Sequence, residues 1–353
     1  MTSPPAPEGK RRRPVTRWVV RGVLFVALVA GVFGLLPRLG GLRHDAAGLR
    51  HARPAFVAAA IVAQAVSLAC YAALYRQVLA SLGARLRFRV AAEVTLSTFL
   101  ISHVTPFGSA TGTLLNVSTL EAEGIAASTT GEAIGLTSLV STVALIALFG
   151  TGLVATAGRH VSVTYLRIAG VALVLLVLAI AFLVGAHPGI AERAARRAAS
   201  WARHLRSSID PEKAAQTSKR LVLLARSALT GRAFLESYGF ASADLLFDLL
   251  SLDLMFLAFR YQPGFGPLAV AYGAANIASA IPITPGGLGV IEVTLVAITV
   301  GFGAPRATAV IAVLGYRVVN YWLPLLPGAV AYLRLRLSVN AAGKAKPSTP
   351  PAR

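Results

Sequence analysis

Chemistry is concentrated in Pro282-Ile-Thr-Pro-Gly-Gly-Leu-Gly-Val-Ile-Glu292. Pro282 and Pro285 stop a helix, and Gly286, Gly287 and Gly289 let backbone approach backbone or ligand closely. A second half-helix would start beyond Thr284 with its first N–H groups unpaired, an end that attracts a phosphate or another anion. Glu292 falls in the first turn of that half-helix, so it either offsets the helix dipole or handles a cation or proton. Six further carboxylates, Glu93, Glu132, Glu236, Asp244, Asp248 and Asp253, lie in apolar or broken stretches. A charge there costs at least about 2.5–3.5 kcal/mol at bilayer depth, so these groups must face a polar interior. Asp244 and Asp248 are one helical turn apart on one face, with Asp253 nearly opposite. Arg317, in Gly315-Tyr-Arg-Val-Val-Asn320-Tyr-Trp, is the one deep basic residue of the last apolar run, and either aspartate is its expected structural partner, with Glu292 left to the pathway.

A second broken stretch is unusually polar: His103, Thr105, Pro106, Gly108, Ser109, Thr111, Thr113, Asn116, Ser118, Thr119, Glu121 and Glu123. Polar backbone at membrane depth survives only against protein or a wet cavity, so this stretch is expected to line the same path as the first. The six histidines have no spacing that makes a metal site, and His103 is expected to be a hydrogen-bonded or solvated side chain. The single cysteine, Cys70, permits no intramolecular disulfide. No Gly-Lys-Ser or Gly-Lys-Thr phosphate loop, no zinc-protease His-Glu motif and no Gly-x-Ser-x-Gly elbow occurs. Neither a metal nor a cofactor is expected, and no enzymatic activity.

These residues need a membrane to position them. Of 353 residues 56% are hydrophobic and 14% charged, with a mean hydropathy of +0.68, whereas a soluble domain carries about 25% charged residues. The net charge of +20 sits between apolar runs, which fits membrane topology and not nucleic-acid binding. Apolar runs long enough to cross a bilayer cover Val19–Leu36, Ala55–Tyr75, Ala133–Val154, Val161–Val184, Ala233–Phe259 and Ala307–Tyr332. Pro267–Ile281 and Leu288–Phe302 are 15 residues each, too short to span, and they meet at the proline-glycine break. The expected fold is therefore an all-α polytopic membrane protein of six full spans plus two broken or re-entrant hairpins, within 88–130 and 267–303.

Basic residues crowd the N-terminal tail, the connection 76–89, the loop 185–232 and the C-terminal tail, which places both termini and that loop in the cytoplasm of a cell-membrane protein. Arg38, Arg43, Arg50 and Arg53 then fall outside, against the rule. The expected organisation is a basic tail at 1–17, a transmembrane domain at 18–333 and a basic disordered tail at 334–353. At an offset of 179 residues, Thr105, Pro106, Gly108, Val117, Gly124 and Thr129 align without a gap to Thr284, Pro285, Gly287, Val296, Gly303 and Thr308. With opposite entry sides for the two hairpins, this is the pattern of an inverted repeat. In 190–209, Ala194, Ala198, Trp201 and Leu205 recur at helical spacing among Arg193, Arg196, Arg197, Arg203 and Arg206, which predicts an interfacial helix on anionic lipid.

At Thr284-Pro-Gly-Gly-Leu-Gly-Val-Ile-Glu292, followed by Gly303 and Gly315-Tyr-Arg317, the chain resembles the flippase-like transmembrane family of bacterial lysylphosphatidylglycerol synthases over roughly 19–333. Pro106-Phe-Gly108 stands in place of that family's first proline-glycine element, without its second glycine pair. The resemblance implies lipid translocation, in the best-known members of an aminoacylated phosphatidylglycerol. The expectation from the resemblance is a stand-alone membrane domain, without those members' synthetase domain, whose lipid cannot be carried over. The leading expectation is a translocator of a phospholipid or lipid-linked head group through a polar midplane site. A proton-coupled transporter of a small organic anion is the alternative, and an enzyme or accessory subunit acting on lipid-linked substrates a third. The oligomeric state stays open.

Overall fold

Within hydrocarbon each segment must satisfy its own backbone N–H and C=O groups, and helices do this without a partner. A computed structural model describes residues 52–104, 108–156, 188–203, 231–279 and 284–345, with isolated positions between 170 and 223, and these residues form helices and turns with no strand. The helices are α1 (Pro54–Ser81), α2 (Phe88–Val104), α3 (Gly108–Ala122), α4 (Ala127–Thr156), α5 (Pro188–Arg203), α6 (Arg232–Ala258), α7 (Phe265–Ser279), α8 (Val290–Gly301), α9 (Arg306–Arg317) and α10 (Leu323–Ala345). A 3₁₀ turn, Pro285–Gly287, precedes α8, and a π turn, Val318–Trp322, joins α9 to α10.

Among the described residues, three stretches are long and apolar enough to cross a membrane: Pro54–Ser81, Ala127–Thr156 and Arg306–Leu337. They contain three of the six expected spans. A fourth, 233–259, corresponds to α6, which at 27 residues is about 40 Å long but carries Asp244, Asp248 and Asp253. The first and fourth expected spans, 19–36 and 161–184, lie outside the described residues apart from Gly170. Both broken stretches are pairs of short helices packed against each other, α2 with α3 and α7 with α8. The segment from 334, expected to be a disordered tail, begins as helix, since α10 continues to Ala345. Its Leu335 is buried in the core, an apolar contact that the basic composition of the stretch conceals.

The α1 and α6 helices run antiparallel, because contacts that advance along α1 retreat along α6. Arg53 N–H donates to the Ala258 carbonyl, Ser251 Oγ to the Ala60 carbonyl, and Ser67 Oγ to Asp244 Oδ1. Small residues bring α4 against α7. A Cβ added at Gly152 would lie 2.7 Å from Ala269 Cβ and 3.0 Å from Val270 N, and one added at Gly273 would lie 2.6 Å from the Phe149 ring. Close backbone approach of this kind supplies the packing that hydrophobicity cannot provide between helices in lipid. Gly152→Leu is expected to cost about 1–3 kcal/mol through overpacking and to lower the thermal midpoint in detergent, whereas Gly131→Leu, whose added Cβ meets nothing within 4 Å, should leave it unchanged.

Two apolar clusters flank the middle of the molecule. Leu252, Phe256, Leu268, Tyr272, Leu295 and Val313 gather α6 to α9 into one. Leu74, Leu79, Val94, Leu120 and Leu136 gather α1 to α4 into the other, and each cluster includes one of the broken helix pairs. The helix α5 forms where the sequence predicts it. Its Arg193, Ala194 and Arg197 are exposed, Ala199 is buried, and Arg196 pairs with Glu192 and Glu212.

Candidate functional site

Between α7 and α8 the chain turns through three glycines at positive φ: Gly286 at +61°, Gly287 at +67° and Gly289 at +86°. L side chains rarely adopt this region, so the glycines are conformational requirements of the turn. Thr284 holds it closed from one side, its Oγ1 donating to the Leu288 carbonyl at 2.7 Å while its own carbonyl accepts from Gly287 N–H at 3.2 Å. Gly286 has a second requirement, since an added Cβ would collide with the Tyr321 ring and lie 2.6 Å from His103 Cδ2. The turn is thus wedged between the end of α2 and the π turn.

That π turn has a local cause. Pro324 has no N–H for the Asn320 carbonyl and Pro327 none for the Leu323 carbonyl, so the regular ladder cannot continue through this stretch. Leu323 N–H instead donates to the Val318 carbonyl, five residues back. Such bulges rotate the following side chains and are frequent at functional sites. Here Tyr321 Oη donates to the His103 carbonyl at 3.1 Å, and the His103 ring stacks on Phe99 with centroids 3.9 Å apart.

The N-terminus of α8, expected to await an external anion, is already filled. Glu292 Oε2 accepts from Gly289 N–H at 2.6 Å, placing a carboxylate where the unpaired amides and the dipole favour one. Its Oε1 accepts from Arg317 Nε, also at 2.6 Å, and the two side chains are 0% and 3% exposed. Arg317 is therefore paired with Glu292 and not with an aspartate. The correction follows from the turn: Gly287 and Gly289 fold the start of α8 against the end of α9, while Asp244 and Asp248 face other neighbours. Arg317 Nη2 also donates to the Gly286 carbonyl at 3.2 Å, Nη1 to Asn320 Oδ1 at 3.3 Å, and the guanidinium lies 4.7 Å from the Tyr321 ring centroid.

Asp248 is solvated by neutral groups. Its Oδ2 accepts from Tyr272 Oη at 2.7 Å, and its Oδ1 from Tyr316 Oη at 2.9 Å and Asn320 Nδ2 at 2.8 Å. Asn320 consequently bridges the two charges, donating to Asp248 and accepting from Arg317. These groups line a cavity of about 360 Å³, together with Phe99, Ser102, His103, Asn276, Ser279, Thr284, Gly286 and Gly287.

Of the sequence-predicted site residues, Thr284, Gly286, Gly287, Asp248 and Arg317 therefore meet at one cavity, with Glu292 and Gly289 directly behind it and Pro285 opening the turn. Asp244 is one turn away and bonded to Ser67. Gly108 begins α3, and Thr105 and Pro106 lie outside the described residues. Elsewhere Glu93 pairs with Arg89 and Arg334, Glu236 pairs with Arg232 and accepts from Gln77, and buried Asp253 Oδ1 has no partner among the described residues. Sequence reasoning did not single out Tyr272, Tyr316, Asn320 or Tyr321. The available signal was Tyr272 and Asn276 one turn apart in an otherwise apolar half-helix, and Asn320 three residues after Arg317.

Residues 19–328 match the model of the family described as the lysylphosphatidylglycerol synthase TM region. The chain belongs to this family. The family and the three long apolar helices make it a multi-pass membrane protein. A relative described as a UPF0104 membrane protein from Methanothermobacter thermautotrophicus is 31% identical over 85 residues, which cover 24% of this chain and 25% of that protein. The inner membrane protein YbhN of Escherichia coli is 38% identical over 61 residues, 17% of this chain and 19% of its own length. The matched stretches thus span about a quarter and a fifth of these curated relatives.

Proposed function

We propose that this member of the family is a non-enzymatic translocator that passes a phospholipid or lipid-linked head group across the bilayer through the cavity between α2, α6, α7 and α9. The observation that carries the reading is a polar cavity, lined by Asp248 and Arg317, at a break in a membrane helix pair. Irregular backbone at membrane depth is tolerated where it lines such a space, and transporter sites are built at broken helices. Arg317 uses three of its five N–H groups in the bonds described above, which leaves two to donate to head-group oxygens. The Thr284 and Ser279 hydroxyls donate to the Leu288 and Asn276 carbonyls and face the cavity as acceptors. In this reading six spans carry two re-entrant pairs related as an inverted repeat, and the basic face of α5 rests on anionic lipid.

Reconstitution of the chain into vesicles with head-group-labelled phospholipids tests the proposal. Label should reach a membrane-impermeant quencher faster than in protein-free vesicles. Uptake of a small organic anion under a proton gradient, with no lipid movement, would establish the alternative and sink this one.

The accompanying topology puts both termini and 185–232 in the cytoplasm of the cell membrane. A single cysteine at Asp210 on a Cys70→Ala background should resist an impermeant thiol reagent in intact cells and react after permeabilisation. Labelling in intact cells would reverse the orientation.

A further inference from the structure

A second cavity, of about 240 Å³, lies between α1, α2, α3 and α4. Its walls are mainly apolar, from Leu68, Leu96, Phe99 and Ile134, and it shares Phe99, Ser102 and His103 with the polar cavity already described. The stacked rings of Phe99 and His103 thus stand in the partition between a polar chamber and an apolar one.

Among the described residues, two buried hydroxyls of the apolar chamber have no partner. Thr137, 2% exposed, and Thr98 both line it, and their buried Oγ1 atoms make no hydrogen bond among the described residues. Threonines in a helix usually bond back to a carbonyl three or four residues earlier, as Thr95 does to Ala92, Thr142 to Ser138 and Thr151 to Leu148 in the same two helices. Thr98 and Thr137 leave their donors unused, and a buried unmade hydrogen bond is unfavourable. Tyr75 and Asn116, which also line the cavity, are bonded to each other, and no carboxylate, lysine or arginine lines it. Mainly apolar walls with the two unused hydroxyl donors suit a neutral acceptor attached to hydrocarbon, which is the chemistry of an acyl ester carbonyl.

We propose that this second cavity binds the ester-linked start of a lipid acyl chain, with Thr98 and Thr137 donating to its carbonyl oxygen, while the head group of the same molecule occupies the polar cavity. The inference rests on the lipid reading of the polar cavity and assigns the rest of the substrate. It makes the protein discriminate diacyl from dialkyl-ether lipids of identical head group, since the ether oxygen is the poorer acceptor.

The test uses the purified full chain in nanodiscs and two phosphatidylglycerol probes, one diacyl and one dialkyl-ether, each with a photoreactive diazirine close to the glycerol linkage. Adducts are mapped by peptide mass spectrometry. The diacyl probe should label α2 and α4 around Thr98 and Thr137, about 3–10-fold more than the ether probe, the range one hydrogen bond supplies. The double variant Thr98→Val, Thr137→Val keeps the side-chain shape and should abolish that difference while preserving the ether signal. Equal labelling by both probes in the unaltered chain, as expected if the cavity holds only water, overturns the proposal, as do adducts confined to other helices. Labelling at the two threonines without any lipid movement in vesicles would reject translocation and leave this site standing. Lipid movement with equal labelling would do the reverse.

Discussion

Arg317→Ala is expected to destabilise the chain by about 3–5 kcal/mol, because it leaves Glu292 buried without its counter-charge. The effect should far exceed that of Arg334→Ala, whose side chain is 60% exposed and lies 3.7 Å from Glu93, a surface pair worth about 0–1 kcal/mol. Survival of monodisperse protein after a heating series in detergent measures both. The double variant Arg317→Ala, Glu292→Ala removes both charges and should recover part of the loss, while combining Arg317→Ala with Asp244→Ala should give additive losses. Asp248 is linked to Arg317 through Asn320, so its double variant should fall between these two. Greater recovery with either aspartate than with Glu292 would refute the pairing.

Gly286→Ala is expected to abolish translocation, and Gly289→Ala to reduce it at most moderately. Both positions lie at positive φ, where a side chain costs about 1–2 kcal/mol. They differ in their surroundings: a Cβ at Gly286 enters the Tyr321 ring and crowds His103, whereas one at Gly289 meets nothing within 4 Å. The Gly286 variant must therefore displace the turn or the π segment and with them the walls of the polar cavity. Gly287→Leu is expected to resemble Gly286→Ala, because its added Cβ lies 3.0 Å from Ser279 and Ile291. Head-group translocation in vesicles, normalised to inserted protein, reads all three. Equal rates for Gly286→Ala and the unaltered chain would reduce the break to a structural turn.

Features that depend on local backbone chemistry were legible in the chain itself. The prolines and glycines of 282–289 stop one helix and start another wherever they are placed, so the expected halves 267–281 and 288–302 differ from α7 and α8 by two residues or fewer at each end. Apolar runs of more than 20 residues likewise marked α1, α4 and the stretch from Arg306, since length and hydropathy alone decide whether a helix can cross a bilayer. That a deep arginine needs a buried carboxylate also followed locally, because an unpaired charge in lipid is too costly to leave there. Of the seven carboxylates expected to face a polar interior, however, only Asp248 and Glu292 gather at Arg317 among the described residues, whereas Asp244 bonds to Ser67 and Glu93 and Glu236 lie in partly exposed pairs with arginines.

Partners were decided only by the tertiary structure. Arg317 could reach Asp244, Asp248 or Glu292 by any argument from helical periodicity, and the choice depends on how α6, α8 and α9 are rotated about their axes. The positive-φ glycines set that rotation for α8, aiming Glu292 at both its own N-terminus and Arg317. The particular demand on Gly286 was hidden for the same reason, since the rings that crowd it belong to His103 and Tyr321, distant in sequence. Backbone preference is a property of a few consecutive residues, whereas the meeting of charges and rings is a property of packed surfaces.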